Sequence, residues 1–383
     1  MKVINTENKP IKMWLGDIEE GALNQAKNMA NLPFVFKHVA IMPDSHQGYG
    51  MPIGGVLATQ GVIIPNAVGV DIGCGMCSLK TNITEISTKS LQLIIDEIRE
   101  VIPVGFEHQK KEQDLDLMPN SATPREVIDR EFKNARYQLG TLGGGNHFVE
   151  IQKGSDGFIW VMIHSGSRNL GYKVAKHYNE VAMKLNKQWF SEVKKETELA
   201  FLPIETQEAK NYISEMNYCI DFALTNRTLM MERIKESFTK IISNIEFPDF
   251  INIAHNYARW ENHYNTNVIV HRKGATSAKA GEIGIIPGSQ GTKSYIVKGL
   301  GNKESFMSCS HGAGRRMGRN QAIRELDLEL EQKKLEGIIH TVQARKDLDE
   351  APGAYKDIDI VMKNQKELTE IIIELTPLAV IKG

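Results

Sequence analysis

GGVLATQGVIIPNAVGVDIGCGMCSLKT, residues 54–81, sets two apolar runs, 54–65 and 75–81, around a glycine-rich segment that holds Asp71, Cys74 and Cys77. Apolar and β-branched runs bounded by Gly, Pro and Asn read as short strands. With FVFKHVAIMP (34–43) ahead of them, they predict that the first 80 residues are strands joined by glycine turns. Helices and further strands follow. TPREVIDREFKNARYQL (123–139) opens with a capping box, in which Thr123 is the N-cap, Pro124 takes the first helical position and Glu126 reaches back. Residues 173–242 are helix-rich and charged, and FLPIETQE (201–208) divides them into two long helices with Pro203 between, an inserted helical hairpin. The strand pattern returns at NVIVHRKGA (267–275), and the chain closes with a helix and LTPLAVIKG (375–383). The strict βαβ rhythm of a doubly wound sheet is missing. The expectation is therefore α+β: a mixed β-sheet core flanked by helices, with residues 1–383 as a single domain.

Composition narrows the function classes. The chain has 383 residues, with 46 basic against 47 acidic side chains and a net charge of −1, which argues against a nucleic-acid coat protein or a membrane-surface binder. A local basic groove is still compatible with that balance. No apolar run reaches the ~18 residues a membrane span needs, and MKVINTENKPIKMW lacks the apolar core of a signal peptide, so a cytoplasmic location is expected. Four cysteines in a chain of this length do not make a disulfide framework.

Glycine-flanked polar residues recur in six blocks: MPDSHQGYG (42–50), VDIGCGM (70–76), GGGNHFVE (143–150), IHSGSRNLG (163–171), AHNYARWE (254–261) and SCSHGAGRRMGR (308–319). Any one histidine here is more often a satisfied core residue than a ligand. Six such blocks together point to a site, because glycine lets the backbone approach a ligand closely. Cys74 and Cys77 form a C-x-x-C, but a redox pair expects an exposed helix start and an apolar strand follows instead. Asp71 and Cys74 as ligands beside histidines from elsewhere make an O/S/N set suited to a divalent transition metal, with Cys77 facing the core. The P-loop and Rossmann patterns are both missing, as is the K-x-D-G lysine motif of ordinary nucleic-acid ligases. His311 offers another nucleophile, since an imidazole can attack phosphorus to form a phosphoramidate, and Arg315, Arg316 and Arg319 after it could hold phosphate oxygens or form a solvated face.

The blocks MPDSHQGYG, AVGVDIGCGM, GTLGGGNHFVEI, HSGSR, HNY, RKGA, IIPGSQG, SHGAGR, APGAYKDID and the terminal KG occur in the order and context of the RtcB-type RNA-splicing ligases. The resemblance runs from about residue 10 to the last residue and is stronger to the bacterial branch. It implies a GTP- and manganese-dependent ligase that joins an RNA 3′-phosphate or 2′,3′-cyclic phosphate end to a 5′-hydroxyl end, through a guanylylated histidine and an RNA-(3′)pp(5′)G intermediate. By the same resemblance, Asp71, Cys74, His147, His164 and His255 hold two manganese ions, and His311 is the guanylylated residue. Asn146, Glu150, His255, Asn256, Pro287, Gly288, Ser289, Ala313, Gly314, Tyr355 and Lys382 match nucleotide-binding positions, and Arg168, Lys273 and Arg319 match RNA-phosphate positions. Asp44 and His46 fall in a family motif without a firm role, and an activating protein partner is not identified. Two departures stand out: Ser45 makes Pro-Asp-Ser-His of the usual Pro-Asp-Val-His, and Gly318 replaces a serine. Two rivals are a metal-dependent phosphodiesterase or hydrolase, which has little need of His311 or Lys382, and a non-catalytic RNA-binding paralogue, whose signature is a lost ligand.

Overall fold

Period-two alternation builds two large sheets in the computed structural model, which describes residues 1–120 and 125–383. The six-stranded sheet runs in the order Lys2–Ile4, Ile11–Met13, Val35–His46, Ile53–Thr59, Thr266–Lys273, Asn256–His263. Ile11–Met13 pairs with Val35–His46 in parallel and the other pairings are antiparallel, so the sheet is mixed. The seven-stranded sheet is antiparallel throughout, in the order Phe250–Ala254, Gly75–Lys80, Ile159–Ser165, Phe148–Gly154, Thr369–Lys382, Ser294–Gly299, Ile283–Ile286.

Successive side chains on a strand leave opposite faces, and each face finds its own cover. Val39 and Ile41 pack against helix Glu20–Ala30, whereas Ala40 and Met42 face Ile286, Tyr295 and Val297 of the other sheet. Cys77, Leu79, Val149, Ile151, Val161 and Ile163 join a core with Leu91, Ile95 and Ile98 of helix Thr88–Val101 and Met230, Ile234 and Phe238 of helix Gln207–Ile241. Met76, Phe148, Trp160 and Met162 lie on the opposite face. Cys77 is fully buried in that core, three residues from Cys74, and both thiols are free. The architecture is α+β, as the sequence pattern predicts.

Several boundaries differ from the sequence expectation. The run 54–65 is two strands, Ile53–Thr59 and Val62–Ile63, because the chain turns at Gly61 with φ +72°. Val62–Ile63 pairs with Leu202–Pro203, so Pro203 lies in a short strand between helices Arg168–Gln188 and Gln207–Ile241. The first of these helices starts at Arg168 rather than Lys173.

The helix expected to be capped by Thr123 runs Glu126–Gln138 with Arg125 as N-cap, so Glu126 is its first residue rather than its third. Thr123 and Pro124 lie outside the described residues. A distant carboxylate caps this helix: buried Glu215 accepts hydrogen bonds from Val127 N (3.1 Å), Ile128 N (3.1 Å) and Tyr178 Oη (3.0 Å). The negative charge also sits at the favourable end of the helix dipole. Glu215→Ala leaves three buried donors without their acceptor and is expected to cost about 3 kcal/mol. Thermal or urea unfolding checks this, and an unchanged midpoint contradicts it.

Candidate active site

Sheet order brings together residues far apart in sequence. Phe250–Ala254, Gly75–Lys80, Ile159–Ser165 and Phe148–Gly154 are consecutive neighbours. At one end of them the register aligns Gly75 with Ala254 and Ser165, and Met76 and Phe148 with His164. His255 directly follows the first strand, Cys74 directly precedes the second, His164 lies near the end of the third, and His147 directly precedes the fourth. A Cβ on Gly75 would stand 2.0 Å from Ile253 O, so only glycine permits this pairing next to Cys74.

Cys74 Sγ lies 3.4 Å from His147 Nε2 and 3.3 Å from His164 Nε2; His164 Nε2 lies 3.3 Å from His255 Nε2, and His147 Nε2 lies 3.2 Å from Asp71 Oδ2. These atoms form two groups that share Cys74, namely Asp71/Cys74/His147 and Cys74/His164/His255, each with its ligand atoms within 4.8 Å of one another. Outer hydrogen bonds set the imidazole tautomers. His147 Nδ1 donates to Leu142 O (3.0 Å) and His164 Nδ1 to Asn146 O (3.1 Å), which leaves each Nε2 lone pair facing the thiol. Burial, and then neighbouring imidazoles, hold His164 and His255 well below the ordinary histidine value, so both are neutral ligands at neutral pH. Burial and the Asp71 carboxylate push the Cys74 thiol well above its usual value. A divalent cation reverses this by stabilising the thiolate. Lone pairs converging within contact distance, on a mixed S, N and O donor set, fit transition-metal ions.

Buried polar groups hold the loop in place. Arg227, fully buried on helix Gln207–Ile241, donates from Nη1 to Gly73 O (3.0 Å) and Ser165 O (2.8 Å), and from Nε to Asn252 Oδ1 (2.7 Å). Ser167 N donates to Asp71 Oδ1 (3.2 Å), and Asn256 Nδ2 to Asp71 O (3.0 Å).

Beside this cluster the His311 ring lies edge-on to His255, with centroids 4.7 Å apart. His311 Nδ1 donates to Asp44 Oδ2 (2.6 Å), and the His311 backbone N–H donates to the same oxygen (3.1 Å); Asp44 is fully buried. This fixes the ring and leaves Nε2 as the free nitrogen. A Cβ on Gly314, where φ is +74°, would stand 2.0 Å from Asp44 O, so the glycine turn after His311 is required for the carboxylate to sit beneath it.

A cavity of about 390 Å³ opens in front of His311. Of the residues expected at the site, Asp71, Cys74, Asn146, Glu150, His164, His255, Asn256, Lys273, Pro287, Gly288, Ser289, Ala313, Gly314, Arg319, Tyr355 and Lys382 line it with His311. His147 belongs to the metal cluster but not to the cavity lining. Arg168 sits outside the cavity wall and donates to Thr141 Oγ1 (3.2 Å). Lys273 Nζ donates to Tyr49 O (2.6 Å) and Asn66 O (3.1 Å), and burial lowers it to about 7. Of the three arginines after His311, Arg315 and Arg319 line the cavity, whereas Arg316 is exposed and donates to Gly353 O.

Glu350, which sequence reasoning missed, organises that end of the cavity. Its carboxylate accepts from Arg315 Nη1 (2.9 Å), Arg319 Nε (2.9 Å) and Tyr355 Oη, and Lys382 Nζ lies 3.6 Å away. Burial alone would raise this carboxyl, but Lys382, Arg315 and the Tyr355 hydrogen bond bring it down to about 2. The available signal was its place directly before the APGAYKDID block. Arg227 and the Asp44 contact were missed as well, and local sequence shows neither.

Comparison with known proteins identifies the family. A family model described as tRNA-splicing ligase RtcB matches residues 25–121 and 118–383. The chain is 39% identical to RNA-splicing ligase RtcB of Escherichia coli strain K12, over 100% of this chain and 99% of that protein. It is 31% identical to tRNA-splicing ligase RtcB of Thermococcus kodakarensis (95% and 92%) and 32% identical to that of Nanoarchaeum equitans (98% and 96%). No helix among the described residues is long and apolar enough to cross a membrane.

Proposed function

The chain belongs to the tRNA-splicing ligase RtcB family, and on that premise we propose that it is an RNA ligase that uses GTP and manganese to join 3′-phosphate or 2′,3′-cyclic phosphate ends to 5′-hydroxyl ends. The observation that carries this reading is His311, pinned at Nδ1 by buried Asp44 and packed against a histidine of the metal cluster. A hydrolase that only activates water has no use for a nucleophile held in this way. Site residues run from Asp44 to Lys382, which supports one catalytic domain spanning the chain.

Asp71, Cys74 and His147 would hold one manganese ion, and Cys74, His164 and His255 the other; bound there, the ions supply charge neutralisation to the triphosphate and its leaving pyrophosphate. His311 Nε2 attacks the α-phosphorus of GTP, so that a P–N bond forms and the bond to pyrophosphate breaks. Asp44 holds the Nδ1 proton and stabilises the positive charge that the ring gains. The RNA 3′-phosphate then takes the guanylate from His311, giving RNA-(3′)pp(5′)G, and the 5′-hydroxyl attacks this end and releases GMP. A cyclic phosphate is first opened by water to the 3′-phosphate. Arg168, Lys273 and Arg319 are the cations for RNA phosphates, and Lys273, which burial lowers to about 7, takes up its full charge when a phosphate lies beside it. Asn146, Glu150, Asn256, Ser289, Tyr355 and Lys382 are the nucleotide contacts.

Glu150 makes nucleotide binding depend on pH. Burial raises it to about 8, against the hydrogen bond from Gln152 and the charge of Lys382, so it is protonated in the empty cavity at neutral pH. The guanine edge presents N–H donors, which prefer the carboxylate. GTP binding is therefore expected to release close to one proton at pH 7. Affinity should fall about tenfold per pH unit below 8 until the bound form itself protonates. Calorimetry in buffers of different ionisation enthalpy checks this, and Glu150→Gln should abolish the release.

The function itself is tested by incubation with GTP, manganese and two RNA oligonucleotides. The expected result is joining of 3′-phosphate to 5′-hydroxyl ends and none of 3′-hydroxyl to 5′-phosphate ends. The reverse preference, or release of phosphate without joining, contradicts the reading.

A further inference from the structure

Two of the three cations assigned to RNA phosphates share a construction. Lys273 Nζ donates to the backbone carbonyl of Tyr49, a residue that is 66% exposed and lines the cavity. Arg168 Nη2 donates to the carbonyl of Gly105 (3.4 Å), directly before Phe106, whose side chain is fully exposed. In each case a cation is braced by backbone at the base of an aromatic side chain that projects into solvent.

Neither aromatic residue sits on a loose loop. Phe106 is at the tip of a tight turn closed by Glu107 N donating to Val104 O (3.1 Å), with Gly105 at φ +61°. Leu142 N donates to Pro103 O (2.9 Å) and Gly105 N to Gly143 O (2.9 Å), which fasten the turn to the glycine segment 143–145 that leads to Asn146 in the cavity wall. Turn tips favour Gly, Pro, Asn, Asp and Ser, so a fully exposed phenylalanine on a rigid turn has no role in folding. Arg168 also ties the turn to Thr141, through Nε donating to Thr141 Oγ1 (3.2 Å). Gly50 N donates to Glu198 Oε2 (2.9 Å), and this fixes the loop that carries Tyr49.

We propose that Phe106 and Tyr49 are base-stacking platforms for single-stranded RNA, each placing the base of a nucleotide whose phosphate is held by the neighbouring cation. The proposal rests on the ligase reading. A flat aromatic face accepts any base, and stacking beside a cation is the usual way to hold single strands without sequence preference. An enzyme that joins two ends must locate two strands, and two such pairs are present.

The test uses RNA oligonucleotides with 2-aminopurine near the 3′-phosphate or near the 5′-hydroxyl, with the wild type and Phe106→Ala, Phe106→Trp, Phe106→Leu, Tyr49→Ala and Tyr49→Phe. Each alanine variant is expected to raise KM for RNA about tenfold, with little change in kcat, and to relieve quenching of the 2-aminopurine at one end only. Phe106→Trp and Tyr49→Phe should restore both readouts, and Phe106→Leu neither. Wild-type KM in both alanine variants, unchanged quenching, or full rescue by leucine would overturn the proposal. Labelling of the wild type by GTP, measured alongside, reports on the ligase reading separately, since it involves no RNA.

Discussion

Cys74→Ala is expected to lose RNA joining by about 10³-fold or more, together with its bound manganese. Cys74 is the one atom donor common to both metal-ligand groups, at 3.4 Å from His147 and 3.3 Å from His164. Losing it lowers the donor number of both sites at once, whereas losing His147 or His255 affects one. Cys74→Ser should recover little, because a hydroxyl in this buried position gives up its proton far less readily than a thiol beside a cation. Metal content measured by mass spectrometry, together with the joining rate, checks both variants. Retention of full manganese stoichiometry in Cys74→Ala would show that the cluster is not the metal site.

Asp44→Asn should lower guanylylation of His311 by about 10³- to 10⁴-fold while the protein stays folded, by analogy with loss of the orienting carboxylate in a catalytic triad. The substitution keeps the shape, but an amide can donate to Nδ1, and the ring then carries its proton on Nε2, where the nucleophilic lone pair is needed. Removing the carboxylate also removes the charge that stabilises the imidazolium. The backbone N–H of His311 shares the same oxygen, so an amide that turns its NH2 toward Nδ1 gives up that one backbone hydrogen bond, and one that keeps its carbonyl there still loses the charge. Rates of label incorporation from GTP in the two proteins, beside matched unfolding curves, check the prediction. A rate within tenfold of wild type would assign Asp44 to folding of the turn alone.

The parts of this molecule that are visible in sequence obey local rules. Cys77 faces the core because strand alternation separates it from Cys74, and the glycine-bounded runs become strands for reasons of backbone preference. The metal cluster is different. Its residues are spread from Asp71 to His255 and converge only through sheet order, so single blocks suggest a site and the family resemblance assembles it. Glu350 and Arg227 were invisible because each lies in a charged or helical stretch of ordinary composition. Their importance comes from what the fold places opposite them, three cations in one case and the Gly73 and Ser165 carbonyls in the other. Glu215 shows the same limit. Its place in helix Gln207–Ile241 gives no hint that it caps a helix begun about 90 residues earlier.

The most direct test of the account is covalent labelling. The protein is incubated with GTP and manganese, denatured, and digested, and the peptide that carries residue 311 is searched for one added guanylate. The account predicts the adduct on His311 in the wild type, dependent on manganese, and absent from His311→Ala and Cys74→Ala. No adduct on metal-loaded wild-type protein, or an adduct on His311 that forms equally well in Cys74→Ala, would contradict the claim that the metal cluster and the Asp44–His311 pair act as one guanylylation site.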